Sequence, residues 1–188
     1  METQIVFLKG KKVTLRPFSV EDAPTLQRWI NDPEVRQFLT VLYPAQLQSE
    51  REWVEGLAKK PDKDVVLMME VEGRPIGSMG LHSINWKDRT AMTGALIGEK
   101  DCWGKGYGTD AKMVFLDYAF NTLNLRKIYS RVYSFNKRSL AYSLHCGYEV
   151  EGRLIKEHFC RGRYWDVIVL GLFKKQWLPY WKKYSAKM

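Results

Sequence analysis

Apolar and polar positions follow a two-residue period in some segments and a three-to-four-residue period in others, which predicts strands interspersed with helices. Residues 13–18 and 127–133 have the strand pattern. Two further apolar runs, 65–71 and 76–81, flank the turn Glu72-Gly73-Arg74. Because a glycine turn between two apolar runs is typical of a β-hairpin, we expect these two runs to pair.

Three segments have the period of an amphipathic helix. The first begins at Glu21 and ends near Asp32-Pro33, and the second covers residues 46–59. The third covers residues 109–120, and its apolar face is formed by Ala111, Val114, Phe115, Tyr118 and Ala119. That spacing is typical of a helix that packs with one face on a sheet.

The last strands are predicted at residues 148–156 and 164–173, joined across Cys160-Arg161-Gly162-Arg163. Together these elements predict an α/β (α+β) fold. We expect a mixed, mainly antiparallel sheet of about seven strands with helices on both faces.

A chain of 188 residues, 45% of them apolar, is long enough for one well-buried core and short for two. We therefore expect one domain over residues 1–188, with a core at about 11–174 and a basic, aromatic C-terminal segment at 175–188. The apolar runs are shorter than a membrane span, and residues 1–15 lack the pattern of a secretion signal. These features predict a cytoplasmic protein without membrane association.

The formal charge of +9 is compatible with a nucleic-acid partner or with a phosphate-bearing cofactor. The aromatics and lysines of residues 174–184 could stack on bases. We favour a capping segment whose aromatics pack on the sheet while its lysines stay in solvent. A nucleic-acid partner is therefore not expected.

The three cysteines and three histidines are not spaced as metal ligands. They are Cys102, Cys146 and Cys160, and His82, His145 and His158. We expect structural roles for the histidines, and neither a metal site nor a disulfide framework.

The chemistry of the chain is concentrated in Cys102-Trp103-Gly104-Lys105-Gly106-Tyr107-Gly108-Thr109-Asp110-Ala111. Three alternating glycines follow a short buried strand at 94–98 and lead into the third helix. Such a loop lets several backbone N–H groups converge on one anion at the helix N-terminus. The spacing differs from the G-x-G-x-x-G dinucleotide fingerprint and from the nucleoside-triphosphate P-loop. The segment therefore predicts another kind of phosphate site, or a flexible turn.

The glycine segment resembles motif A of the GNAT superfamily of N-acetyltransferases, in which a [QR]-x-x-G-x-[GA] loop holds the pyrophosphate of acetyl-CoA. Trp103 stands at the Gln/Arg position, and Gly106 and Gly108 at the two glycines. The run Trp103–Ala111 is similar to the form found in the branch of ribosomal-protein N-terminal and polyamine acetyltransferases. A second block, Asn136-Lys137-Arg138-Ser139 followed by Cys146-Gly147-Tyr148, is similar to the family's N-x-x-S/A and G-[FY] element.

The resemblance implies a metal-free N-acetyltransferase that uses acetyl-CoA as co-substrate. The acceptor would be a primary amine on a protein N-terminus, a polyamine or a small molecule. The alternative is a non-catalytic acyl-CoA-binding or RNA-associated module with the same fold. The cofactor-binding residues implied are Leu96, Ile97, Gly98, Trp103, Gly104, Lys105, Gly106, Tyr107, Gly108, Thr109, Asn136 and Ser139. Of these, Asn136 and Ser139 would face the pantetheine amides.

An amine acceptor arrives protonated and must lose a proton before it attacks a thioester. Glu99 is the first candidate for the base, followed by Asp101 and Glu70; the alternative for Glu99 is a solvated turn carboxylate in the charge run Glu99-Lys100-Asp101. A backbone N–H near Leu96 to Gly98 would polarise the thioester oxygen.

The proton for the leaving thiolate has two candidate sources. The family's acidic Tyr, four residues before Gly147, corresponds here to Ser143, and Tyr142 lies one residue earlier. Either Tyr142 rotates into the role or no strong acid is used.

The acceptor pocket of this fold is expected between the first helices and the hairpin loops. Five aromatic residues there could line a pocket or merely pack: Trp29, Phe38, Tyr43, Trp86 and Trp165. An exposed final strand could pair across a twofold axis and give a homodimer.

Overall fold

The computed structural model describes residues 5–59 and 62–186. The strands are β1 (Leu8–Lys9), β2 (Thr14–Pro17), β3 (Val65–Val71), β4 (Arg74–Asn85), β5 (Thr90–Ile97), β6 (Lys127–Tyr133), β7 (Glu149–Cys160) and β8 (Arg163–Phe173). The α-helices are α1 (Ala23–Asn31), α2 (Pro33–Arg36), α3 (Leu47–Lys59), α4 (Tyr107–Asp117), α5 (Lys137–His145) and α6 (Lys174–Ser185). The ends of the domain predicted at 1–188, and the last two residues of the 175–188 segment, lie outside the described residues.

One sheet runs through the described chain in the order β1-β2-β3-β4-β5-β6-β8-β7. All neighbouring strands are antiparallel except β5 and β6, which are parallel. The predicted mixed, mainly antiparallel sheet is therefore confirmed. The strands number eight among the described residues instead of about seven. The additional strand is β1, whose two residues are too few to show a period of their own.

Helices cover both faces of the sheet, as predicted. On one face Leu26 and Trp29 of α1 and Val54 of α3 pack with Met68. On the other face α4 contacts α5 and α6, and its side chains form the larger core with the sheet. We call the first the α1 face and the second the α4 face.

Helix α4 is buried on more than the one face predicted for it. Every residue from Asp110 to Leu116 is buried, including Lys112, whose side chain is only 1% exposed. The predicted amphipathic pattern puts Lys112 toward solvent. The lysine is enclosed instead: its ammonium lies 5.4 Å from the centre of the Tyr142 ring of α5 and 5.6 Å from that of Tyr148, which precedes β7.

The basic C-terminal segment forms α6. Trp177 is fully buried and packs against Phe120, and Trp181 stacks between Trp177 and Tyr184. The segment thus covers the core with its aromatic side chains. No helix within the described residues has the length and apolar composition needed to cross a bilayer.

Candidate functional site

The glycine loop ends at Gly106, the N-cap of α4, where the backbone has φ 82°. Gly104, with φ 77°, has the same left-handed conformation, which favours glycine. The first bond within the helix runs from Asp110 N–H to the Gly106 carbonyl, so the preceding N–H groups of Tyr107, Gly108 and Thr109 have no partner within the helix. These three N–H groups lie at the positive end of the helix dipole, and we call them the candidate anion site.

The positively charged Lys12 lies beside the glycine loop and binds it. The ammonium of Lys12 donates to the Lys105 carbonyl at 3.1 Å, which holds the loop against the turn between β1 and β2. The acidic residue in the first turn of α4, Asp110, faces that turn and accepts hydrogen bonds from the backbone N–H groups of Lys11, Lys12 and Val13. Its carboxylate is therefore engaged away from the glycine loop.

The parallel strands β5 and β6 pair only over Thr90–Met92 and then separate. We call the space beyond this point the β5–β6 gap. The Gly98 N–H donates to the Ile76 carbonyl of β4, whereas the Ile97 carbonyl accepts from the Trp103 indole, which lies outside β4. The N–H and C=O groups of successive residues point to opposite edges of a strand. Those of Ala95 and Ile97 therefore point toward the gap, and those of Leu96 and Gly98 point toward β4.

Gly98 is required by packing. A Cβ built there would lie 2.1 Å from the ring of Trp29. Leu96 packs beside the same tryptophan on the α1 face. These two predicted cofactor residues therefore shape the strand, and Ile97 carries the backbone groups that face the gap.

Helix α5 begins at Asn136, close to the end of β6. The Asn136 side-chain oxygen accepts the Ser139 N–H at 3.1 Å and caps the helix. Among the described residues none accepts a hydrogen bond from the Asn136 side-chain nitrogen. That nitrogen can therefore donate to a ligand in the gap.

Trp103 joins the glycine loop to the strand and to the α1 face. Its indole N–H donates to the Ile97 carbonyl at 2.8 Å. The guanidinium of Arg138 lies 4.1 Å from the centre of the same indole. The Phe38 ring packs against the indole in an edge-to-face arrangement, with the two ring centres 6.4 Å apart. A tryptophan in place of the family's Gln or Arg thus anchors the loop by an indole hydrogen bond and brings a guanidinium beside it.

A cavity of about 400 Å³ lies next to Trp103, between the end of α2, the end of β6 and the β7–β8 turn. We call it the hairpin cavity. It is lined by Gln37, Phe38, Phe135, Cys160, Arg161, Arg163 and Trp165. Two of the five predicted aromatics, Phe38 and Trp165, belong to it. The cavity has aromatic walls and two guanidinium groups.

The other three predicted aromatics lie elsewhere. Trp29 is buried in the core of the α1 face, and Tyr43 is exposed in the segment between α2 and α3. Trp86 lies in the β4–β5 turn and donates to the Asp62 carbonyl at 2.7 Å. None of the three lines the hairpin cavity.

Glu99, the first candidate for the base, is held by three donors. Its carboxylate accepts from Arg28 at 2.5 Å, from the Trp29 indole at 2.7 Å and from Arg74 at 2.8 Å. Partial burial by itself raises the pKa of Glu99, but the hydrogen bonds from Arg28, Trp29 and Arg74 outweigh it and leave the pKa below its ordinary value. A carboxylate in this state is a weak proton acceptor.

The two further base candidates are also paired with arginines. Asp101 is exposed and binds Arg74 at 2.9 Å. Glu70 is buried in β3, two strands from the β5–β6 gap, and binds Arg16 at 2.7 Å. Neither side chain lines the hairpin cavity.

Tyr142 and Ser143, the candidates for the acid, lie on α5 against α4. The Tyr142 ring packs on the core of the α4 face, with the Lys112 ammonium 5.4 Å from its centre. Burial raises the pKa of Tyr142 far above its ordinary value. Ser143 is buried as well, at 1% exposure. The Tyr142 ring therefore packs on the core of the α4 face.

Two groups near the site were given no functional role by the sequence. His158, expected to be structural, stacks on Tyr133 with ring centres 3.7 Å apart, and Tyr133 in turn stacks on Phe135 of the hairpin cavity. Partial burial lowers the pKa of His158. The sequence indicates for Arg161 only a position in the turn between the last two strands. Strand alternation predicts that His158 and Cys160 share a face, but the contact of His158 with Tyr133, across the intervening strand β8, is a tertiary property.

Comparison with known proteins shows the family of the chain. The family model for the acetyltransferase (GNAT) domain matches residues 12–149. The chain is 31% identical over 179 residues to a spermidine N(1)-acetyltransferase of Escherichia coli K12, with 88% of each chain covered. It is 26% identical over 175 residues to an uncharacterized N-acetyltransferase, p20, of Bacillus licheniformis, covering 90% of this chain and 97% of that one.

A solved structure agrees with these sequence matches. The spermidine N-acetyltransferase of Vibrio cholerae in complex with CoA and spermine superposes with a TM-score of 0.80 at 27% identity. The match covers 89% of this chain and 98% of that one.

Proposed function

Because this chain belongs to the GNAT family of acetyltransferases and is an acetyl-CoA-dependent N-acetyltransferase, we propose that it acetylates a primary amine bound in the hairpin cavity. The observation that carries the proposal is the adjacency of two sites. Trp103 contacts the β5–β6 gap through Ile97 and the hairpin cavity through Phe38. A cofactor on one side of Trp103 and an amine on the other would meet at the gap.

The residues present fit acetyl-CoA. The free N–H groups of Tyr107, Gly108 and Thr109 can bind its pyrophosphate, and Lys12 adds positive charge there. Along the gap, the backbone of Ala95 and the side-chain nitrogen of Asn136 can bind amide groups. When bound, the cofactor supplies a thioester whose acetyl group is transferred to the amine.

We propose Ile97 N–H as the donor that polarises the thioester oxygen. The strand alternation that turns the Ile97 carbonyl toward Trp103 turns its N–H away from β4 as well. Within the range Leu96 to Gly98 considered from sequence, Leu96 and Gly98 direct their N–H groups to β4, which leaves Ile97 as the donor that faces the gap.

For the proton of the incoming ammonium we propose the imidazole of His158. A lowered pKa keeps the ring neutral near pH 7, so that one ring nitrogen can accept a proton. Its neighbours Tyr133 and Phe135 place it on the side of the sheet from which an amine in the hairpin cavity would approach. We assign Glu99 instead to positioning α1 against the glycine loop, since its three donors occupy it.

The leaving thiolate needs little assistance. A thiol has an ordinary pKa near ~8.5, so the thiolate can depart without a strong acid. We therefore propose that neither Tyr142 nor Ser143 donates a proton in the reaction, and that both stabilise the packing of α5 on α4.

The proposal can be tested with Gly108→Glu. Gly108 lies in the first turn of α4, its φ is not positive, and a Cβ there meets no atom within 4 Å. The variant should fold, yet its carboxylate would occupy the anion site. The matched control is Gly56→Glu on α3, where a Cβ also meets no atom within 4 Å.

Two measurements are made on each protein: thermal unfolding with and without acetyl-CoA, and thiol release with a panel of amines. We expect wild type and Gly56→Glu to be stabilised by acetyl-CoA and to release thiol only when an amine is present, and Gly108→Glu to do neither. At a concentration about 100 times Kd, the stabilisation would be roughly 2.7 kcal/mol. Stabilisation of wild type without thiol release from any amine would instead support a non-catalytic acyl-CoA-binding module.

A further inference from the structure

Two arginines of the hairpin cavity lack an acidic partner among the residues that the structure describes. Arg161 and Arg163 both line it. Among residues 5–59 and 62–186 no carboxylate forms an ion pair with either guanidinium. By contrast, Arg153 on the same hairpin is paired with Asp166. The charge of Arg161 and Arg163 is thus not neutralised by the protein.

The β7–β8 turn fixes the backbone of Arg161, and a ring contact orients the side chain of Arg163. Arg161 and Gly162 have φ of 54° and 75°, the left-handed pair of a type I′ turn, between the paired residues Cys160 and Arg163. The Arg163 guanidinium lies 3.6 Å from the centre of the Trp165 ring. A guanidinium stacked in this way is oriented before a ligand arrives, so less side-chain freedom is lost on binding.

The cavity lining has no carboxylate that would pair with a second cation. None of its seven residues is Asp or Glu. Two guanidiniums repel a polycationic amine, while they match the planar or tetrahedral oxygens of carboxylate or phosphate. Phe38, Phe135 and Trp165 supply apolar walls for the body of a ligand, and about 400 Å³ is the size of a small-molecule pocket.

We propose that the acceptor is a small primary amine that also carries an oxyanion, a carboxylate or a phosphate, which Arg161 and Arg163 bind. The inference rests on the proposed function, since it names the amine that the hairpin cavity takes. It separates this chain from a polyamine acetyltransferase, although spermidine acetyltransferases are among its relatives.

The test compares amines that differ only at the far end. Para-aminomethylbenzoate and para-xylylenediamine share the ring and the reacting amine, and differ in a carboxylate or a second ammonium. Para-aminomethylphenylphosphonate represents the phosphate source, and spermidine the polyamines. Thiol release at fixed acetyl-CoA gives kcat/KM for each. We expect at least one of the two oxyanion-bearing amines to exceed the diamine by about tenfold or more.

Variants then locate the effect. Arg161→Asn removes the charge with a residue that tolerates the left-handed conformation, and Arg163→Gln removes the second charge. Each should raise KM for the preferred oxyanion-bearing amine by about tenfold and leave KM for spermidine unchanged or lower. The matched control is Arg89→Asn, because Arg89 has φ 53° in the β4–β5 turn, outside the cavity lining. Stabilisation by acetyl-CoA verifies that each variant is folded.

Higher ionic strength provides an independent readout. Screening should raise KM for the oxyanion-bearing amine and lower it for spermidine. If spermidine or the diamine is preferred, or if the Arg161 and Arg163 variants match Arg89→Asn, the inference is overturned while the amine acetyltransferase stands. If acetyl-CoA stabilises the protein and no amine releases thiol, the proposed function fails, and this inference with it.

Discussion

The indole N–H of Trp29 donates to Glu99 Oε1 at 2.7 Å and so ties the buried end of α1 to the residue that precedes the glycine loop. Arg28, the neighbour of Trp29, binds the same carboxylate oxygen, and Arg74 binds the other. The Trp29 ring also covers Gly98. One carboxylate therefore connects helix α1, strand β4 and the segment that leads to the anion site.

We expect Glu99→Gln to retain kcat within about threefold, because the amide oxygen can still accept from Trp29 and no proton transfer is lost. Loss of a general base would lower kcat by about 10²- to 10⁴-fold. Steady-state thiol release measures this, with Asp101→Asn as the control for a carboxylate that shares the Arg74 partner. A drop in kcat of more than a hundredfold at unchanged KM would restore Glu99 as the base.

The pH profile of kcat/KM should report His158. Since burial lowers its pKa below the ordinary 6.5, the imidazole is neutral above that value and becomes protonated as the pH falls through the lowered pKa. Because a protonated imidazole cannot accept another proton, kcat/KM should decrease as the pH falls below 6.5, which gives the profile an acidic limb. His158→Gln should reduce kcat by about 10²- to 10⁴-fold and abolish this limb. His145→Gln, an exposed position on α5, should change neither, and an unaltered profile in His158→Gln would exclude the imidazole as base.

Lys112→Met should stabilise the protein near neutral pH. Burial lowers the pKa of Lys112 from 10.5 to about 8, which corresponds to a folded-state penalty of about 3 kcal/mol for the charged ammonium. Below pH 8 the ammonium is charged in both states and the whole penalty is present. Above 10.5 it is neutral in both states and the penalty vanishes.

The gain from Lys112→Met should therefore be largest below pH 8 and shrink as the pH rises toward 10.5. Urea unfolding of wild type and variant at both ends of this range measures it, with the exposed Lys183→Met as the control for general charge effects. An equal gain at both pH values would show that packing, and not the buried charge, determines the difference.

Asp110 should contribute more to stability than its partner Tyr184. The buried carboxylate accepts three backbone N–H groups and the Tyr184 hydroxyl at 2.8 Å. Asp110→Asn presents an NH₂ group to some of these donors, and we expect a loss of about 2–4 kcal/mol. Tyr184→Phe removes a single hydrogen bond, for about 1 kcal/mol. Denaturant unfolding compares the two, and equal losses would contradict the assignment of Asp110 as the centre of the cluster.

Tyr142→Phe should leave kcat within about threefold. The Tyr142 ring packs on the core with the Lys112 ammonium 5.4 Å from its centre, so removal of the hydroxyl should affect packing more than proton transfer. Ser143→Ala is the companion variant, because Ser143 stands where the family has its acid. A reduction of kcat by about 10²-fold or more in either variant, with acetyl-CoA binding intact, would identify a proton donor to the thiolate.

Much of the fold could be predicted from sequence because it depends on local patterns. The strand at 127–133 has the bounds of β6, and the 46–59 helix agrees with α3 within one residue. The glycine loop was recognisable because its spacing is a local requirement for left-handed backbone before a helix. The sequence does not predict β1, because a strand of two residues is too short to show an alternation of apolar and polar positions.

The site was less predictable because its electrostatics depend on residues far apart in the chain. Glu99 looks like a free turn carboxylate in sequence, yet its partners Arg28 and Arg74 come from α1 and β4. His158 carries no motif, and it becomes a candidate base only because β7 folds it onto Tyr133. Contacts between distant segments cannot be read from the neighbours of one residue.

Local patterns in the sequence predict most of the strands, three of the helices and the left-handed glycine loop before α4, since periodicity and glycine spacing act over a few residues. Which charged groups are buried or paired depends on the tertiary structure. Lys112 is enclosed beside Tyr142 and Tyr148, Glu99 is neutralised by two arginines, and Arg161 and Arg163 line a cavity with no carboxylate partner among the described residues. Desolvation and ion pairing depend on what packs around a group, and packing is set by the whole fold.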